Sequence, residues 1–179
     1  MINWQFFPKS KIIPNHLLNV LSVFEQNESL ITSDSFFHGS NEVLENIREG
    51  LESKEYLVEK SKKSIDKIKV PVLFGPNGKL EKYFDADGYN ESTKTVIEVE
   101  AGRAVTNYQF LKDLFQACMM YEVDYLIIAV RKDYRGNPDF QNVITFFDTM
   151  QNMQMYLMTV YGLSRNFYSG QDLPFQGLI

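Results

Sequence analysis

The sequence lacks much of what common chemistries require. Cys118 is its one cysteine in 179 residues, so neither an intrachain disulfide nor a thiolate metal cluster can form. Its two histidines, His16 and His38, lie far apart and make no metal-spaced pair. Walker loop, GxGxxG turn and nucleophile elbow are all missing, which removes the usual nucleotide-binding and serine-hydrolase signatures. No apolar run is long enough to span a bilayer, and the opening MINWQFFPKSKIIPNHLLNVL has no uninterrupted signal-type core. The expectation is a reduced, cytoplasmic compartment with no membrane association. Positive charge is scarce too: 18 Lys and Arg against 23 Asp and Glu give a net charge of −5 and a pI near 5.1. That balance argues against a general nucleic-acid coat, but not against an enzyme with a local basic patch.

What is present is ordinary for a folded protein. The chain is 44% hydrophobic and 23% charged, with 14 Phe and 10 Tyr. With no repeat, low-complexity tract or Pro/Gly/Ser-rich linker, one domain over 1–179 is expected, its core at about 40–150.

Periodicity supplies the elements. A short helix is expected in NHLLNVLSVFEQNE, with Pro14 at its start and Leu17, Leu18, Leu21 and Phe24 on one face. Ser40 caps a longer helix carrying Val43, Leu44, Ile47 and Leu51, which Gly50 weakens. Three strands follow as a meander, KVPVLFG, LEKYFDADGYN and KTVIEVEA, with an Asn-Gly turn after the first. Thr106 and Gln109 are spaced as a capping box for a helix whose stripe is Tyr108, Leu111, Phe115, Cys118 and Met119. VDYLIIAVR reads as a buried strand, FQNVITFFDTMQNMQMYLM as a helix, and LPFQGLI as one more short strand. The order predicts an α/β fold, a mixed central sheet flanked by helices, with a parallel crossover from Glu98 to Val130.

The chemistry concentrates in YFDADGYNESTKTVIEVEAGRA. Asp85 and Asp87 share one arm; Glu98 and Glu100 share a face of the next, about 7 Å apart at the usual strand rise. Carboxylates so close repel and raise each other's pKa values unless a cation joins them. Mg²⁺ or Mn²⁺ is the natural occupant for hard oxygen ligands. The same alternation is shown by the wet face of any half-exposed sheet, so both readings stand.

Asp87, then a strand reading apolar-Glu-x-Glu, a helix and an apolar strand, together resemble the core of the PD-(D/E)xK nuclease superfamily. The likeness covers roughly residues 68 to 130, and is greatest to the type II restriction-endonuclease branch in which Glu replaces the motif lysine. It implies a restriction-endonuclease-like fold and divalent-metal-dependent hydrolysis of DNA phosphodiesters. Asp87 and Glu98 would be metal ligands, Asp85 a rival for the aspartate role, and Glu100 would deprotonate the attacking water. A glutamate from the first core helix often joins such a site; Glu45 and Glu42 are the candidates, and first-turn acids also suit the helix dipole. Cutting both strands of a symmetric site implies a homodimer.

Lys62 and Lys63, in the basic stretch EKSKKSIDKIK, with Arg103 and Lys112, are candidate phosphate contacts, though lysines also cover solvated helix faces. The alternative function is a catalytically inactive nuclease fold serving as a nucleic-acid-binding or scaffold module, consistent with the missing lysine.

Overall fold

The computed structural model describes residues 2–32 and 35–152. Two compact units divide the chain, Met1–Val143 and Ile144–Ile179. The first opens with helices α1 (Asn15–Gln26), α2 (Glu28–Ile31) and α3 (Ser40–Glu52). Strands β1 (Leu57–Val58), β2 (Ile68–Phe74), β3 (Leu80–Ala86), β4 (Gly88–Asn90) and β5 (Thr95–Glu100) follow, then α4 (Gln109–Met119) and β6 (Tyr125–Val130). Helix α5 (Asp139–Asn152) begins in the first unit; its continuation is the described part of the second. The expected strand in LPFQGLI, and the helix beyond Asn152, lie outside the described residues.

The architecture is the expected mixed α/β arrangement. A four-stranded sheet runs in the order β1-β4-β5-β6, antiparallel except where β5 pairs parallel with β6. The crossover through α4 therefore has the anticipated parallel sense. Among the described residues, strand β6 is half-buried along its length and lies at the edge of this sheet.

Both faces of the sheet are covered. On one, Ile97 and Val99 pack with Val20, Val23 and Phe24 of α1 and Leu44, Ile47 and Leu51 of α3. On the other, Val96 joins Val70 and Ala86 of the hairpin and Met120 at the end of α4. Because β5 is sandwiched, Thr95, Val96, Ile97 and Val99 are all buried, and only Glu98 and Glu100 are half-open. The wet-face reading of the alternation therefore gives way to a covered sheet.

The meander departs from expectation at its middle strand. Strands β2 and β3 form a separate two-stranded antiparallel sheet, closed by Asn77 and Gly78, both at positive φ as an Asn-Gly hairpin turn requires. The chain bends at Asp87, and β4 then joins β5. The Asp87 carbonyl accepts the Glu59 N–H at 2.8 Å, which anchors the bend.

The helices also shift in detail. The buried face of α1 is Leu17, Val20, Val23 and Phe24; Leu18 is exposed. Gly39, not Ser40, precedes the first turn of α3, and its N–H donates to Glu42 at 2.6 Å. Ser40 Oγ instead accepts the Ala101 N–H at 3.2 Å. Gly50 causes no break: a Cβ there would lie 2.5 Å from Val23 Cγ1, so glycine is what lets α1 and α3 approach.

Helix α4 has no side-chain cap at its start. Asn107 and Tyr108, both at positive φ, turn the chain into it. Its buried residues are Phe110, Asp113 and Ala117, whereas Tyr108, Phe115, Cys118 and Met119 are exposed. The stripe read from sequence was on the wrong side, and an aspartate faces inward.

Candidate active site

Four carboxylates meet where the bend at Asp87, strand β5 and helix α4 converge. Asp87 Oδ2 accepts the Val99 N–H at 2.7 Å, fixing its side chain against β5. Glu98 and Glu100, two apart on β5, share the face that α4 covers; their parallel partners are Ile128 and Val130. Asp113 brings the fourth group from α4. It is 3% exposed, and its Oδ1 accepts the Gln109 side-chain amide at 3.1 Å.

Asp113 Oδ2 is buried without a hydrogen-bond partner among the described residues. A carboxylate facing a carboxylate has no donor until one is protonated. Glu100 is that neighbour, and a proton shared between the two favours the acid form of Glu100.

The electrostatics follow from burial and mutual repulsion. Burial pushes Glu98 up to about 9, with Asp87, Asp113 and Glu100 adding to the rise and Lys112 opposing it. Burial likewise lifts Glu100 to about 7, helped by Asp113 and Asp87. Asp87 rises to about 6 through burial and Glu59, against the Val99 hydrogen bond and Lys67. Asp113 is raised by burial, although Gln109 and Lys112 pull it down. Every carboxyl of the cluster is thus held toward its protonated form.

Glu59 is a fifth acid at the margin, 4% exposed and bound to Lys67 Nζ at 2.7 Å. Sequence reasoning missed both Glu59 and Asp113. Asp113 had one signal, its spacing of four from Gln109 along the helix.

Other candidates stand apart. Asp85 is exposed on the hairpin, in register opposite Lys69. Glu42 is exposed and serves as the α3 cap, and Glu45 is exposed. Lys112 is exposed but close enough to stabilise the ionised cluster. Lys62, Lys63 and Arg103 are exposed. Arg131 donates to the His38 carbonyl and so secures the loop before α3.

As the side chains stand, no three Asp, Glu, His or Cys among the described residues are gathered round a point that would enclose an ion. The donor set nonetheless suits a hard divalent cation: four carboxylates, with no thiolate or imidazole among them. No protein-family model, no curated protein and no solved structure matches this chain.

Proposed function

We propose that this chain is a divalent-metal-dependent endonuclease that hydrolyses DNA phosphodiesters on a restriction-endonuclease-like core. The observation that carries the reading is the half-buried cluster of Asp87, Glu98, Glu100 and Asp113 between the bend, β5 and α4, in which every carboxyl is pushed toward its protonated form. Burying so much like charge without a cation costs stability, and a functional site is where such a cost is tolerated.

Asp87, Glu98 and Asp113 would hold Mg²⁺ or Mn²⁺. The ion supplies charge neutralisation at the phosphoryl group and lowers the pKa of water. Glu100, in the position the resemblance gives to the motif lysine, takes the proton of the attacking water. Lys112 offsets charge at the mouth of the cluster, and Asp87 keeps its orientation through the Val99 N–H. Glu100 in that place also favours a second reading, a nuclease fold that binds nucleic acid without cutting it.

Calorimetric titration of Mn²⁺ into wild type, Glu98→Gln and Asp113→Asn, with supercoiled plasmid incubated in parallel, tests the assignment. The expected result is metal binding and nicking by wild type, with nicking lost and affinity reduced at least tenfold in both variants. Binding without nicking supports the second reading. Wild-type protein that binds no Mn²⁺ would overturn the metal site.

A further inference from the structure

The acidic chain carries one strongly basic stretch, and the fold displays it. Residues 60–86, the strap and the whole hairpin, hold seven lysines against Asp66, Glu81 and Asp85, a net +4, which leaves −9 for the rest of the chain. Six of the seven, Lys60, Lys62, Lys63, Lys69, Lys79 and Lys82, are exposed. Among the described residues Lys67 alone of the seven forms an ion pair with a carboxylate.

Lys69 shows that this is more than an absence of acids. It sits opposite Asp85 in the β2–β3 register, yet its Nζ lies over the Tyr83 ring, 4.6 Å from the centroid. Lys82 Nζ lies over Phe84 at 5.2 Å. Tyr83 and Phe84 are successive residues of β3, so the two ammonium groups lie on opposite faces of the ribbon, each held over a ring without being neutralised, which lowers the entropy lost when they meet an anion. Beside them Leu73, Phe74, Leu80 and Tyr83 are also exposed, at 54, 47, 41 and 41%. The ribbon runs directly into the bend at Asp87, so a polyanion lying along it arrives at the carboxylates.

We infer that the strap before β2 and the β2–β3 hairpin dock duplex DNA, with Lys69 and Lys82 meeting phosphates from the two faces of the ribbon and Lys79 from its tip. The inference rests on the nuclease reading for its choice of polyanion. Opposite charge supplies the match: a two-stranded ribbon fits a major groove, and its lysines meet the flanking phosphates. The rest of the chain, at a formal −9, disfavours the same duplex elsewhere.

The test is fluorescence anisotropy of a labelled 30-base-pair duplex in EDTA, where neither metal binding nor cleavage contributes. Wild type is compared with Lys69→Gln/Lys82→Gln and with the control Lys11→Gln/Lys54→Gln, all checked for unchanged melting temperature. Wild type should bind with log K falling steeply in log salt, and the hairpin variant should bind more weakly with the slope reduced by about 2. The control should match wild type. A hairpin variant with an unchanged slope, or no wild-type binding at 50 mM salt, would overturn the inference. So would a hairpin variant that loses affinity for phosphatidylserine vesicles while keeping its affinity for the duplex. Salt-sensitive binding through the hairpin by a protein that never nicks plasmid would uphold this docking and sink the nuclease reading alone.

Discussion

Replacing Glu98 by glutamine should make the metal-free protein more stable, and the gain should grow with pH. Glu98 is raised from an ordinary 4.5 to about 9, chiefly by burial and then by Asp87. A folded-state pKa above the unfolded one means that the native protein holds a proton which the unfolded chain has released. Stability then falls as pH climbs from 4.5 toward 9, by about 1.4 kcal/mol per unit for one group. At pH 7 the carboxyl costs wild type about 3 kcal/mol, or about 2–3 kcal/mol once screening of its partly exposed oxygens is allowed for. Glutamine keeps the shape of the protonated acid and cannot ionise.

Thermal melts in EDTA from pH 5 to pH 9 make the comparison. Wild type and Glu98→Gln should nearly coincide at pH 5. By pH 7 the variant should melt about 5–10 °C higher, given the usual relation between free energy and melting temperature at this chain length. Mn²⁺ should narrow or reverse the order, because an ion bound only by the native state stabilises the protein with the intact ligand set. Equal melting temperatures across the pH range in EDTA, or a wild type more stable at pH 8, would refute the electrostatic account of the cluster.

Metal uptake should release protons at pH 7, since Glu98 must give up the proton that it holds there; calorimetry in two buffers of different ionisation enthalpy should show this, with affinity rising from pH 6 to pH 9. Lys67→Met strands Glu59, which is 4% exposed, without its 2.7 Å partner, and should cost about 2–4 kcal/mol in urea denaturation. Adding Glu59→Gln should restore much of that loss. Gly50→Ala should destabilise by about 1–2 kcal/mol despite alanine's better helix propensity, because its Cβ would lie 2.5 Å from Val23 Cγ1. In a Val23→Ala background the same change should be neutral or favourable, a coupling that a double-mutant cycle would read.

What was legible in the sequence is what strict periodicity controls. Strand β5 and the apolar β6 declared themselves, and with them the parallel crossover and the placement of Glu98 and Glu100 on one face. Asp87 could be named only through the resemblance to a nuclease core, which left Asp85 as its rival. The phase of α4 could not be read, since Tyr108, Leu111, Phe115 and Met119 are as apolar as the residues that turn inward. What rotates the helix is tertiary: Phe110 and Ala117 are buried and Asp113 completes the carboxylate cluster, an arrangement that no hydrophobic pattern encodes. Ser40 illustrates the same limit in miniature. Its hydroxyl would cap a helix as well as Glu42 does, but Ala101 N–H, 61 residues away, takes it.

The split of the meander into two sheets gives Glu59 a reason to be buried. Its backbone N–H holds the Asp87 carbonyl, where the ribbon ends, and its carboxylate holds Lys67, just before the ribbon begins. One residue thereby clasps both strands at their root, and Arg48, donating to the Glu59 carbonyl at 3.3 Å, ties that root to α3. A two-stranded ribbon is marginal by itself in water, so anchorage of this kind, with the packing of Val70 and Ala86, is what lets it keep its lysines exposed. The clasp also fixes the direction from which the ribbon meets β5. Asp87 is the first residue past it, at the bend, and its carboxylate accepts the Val99 N–H. The bend that divides the sheet is therefore the same feature that sets an aspartate beside Glu98, with Glu59 the residue that holds it in place.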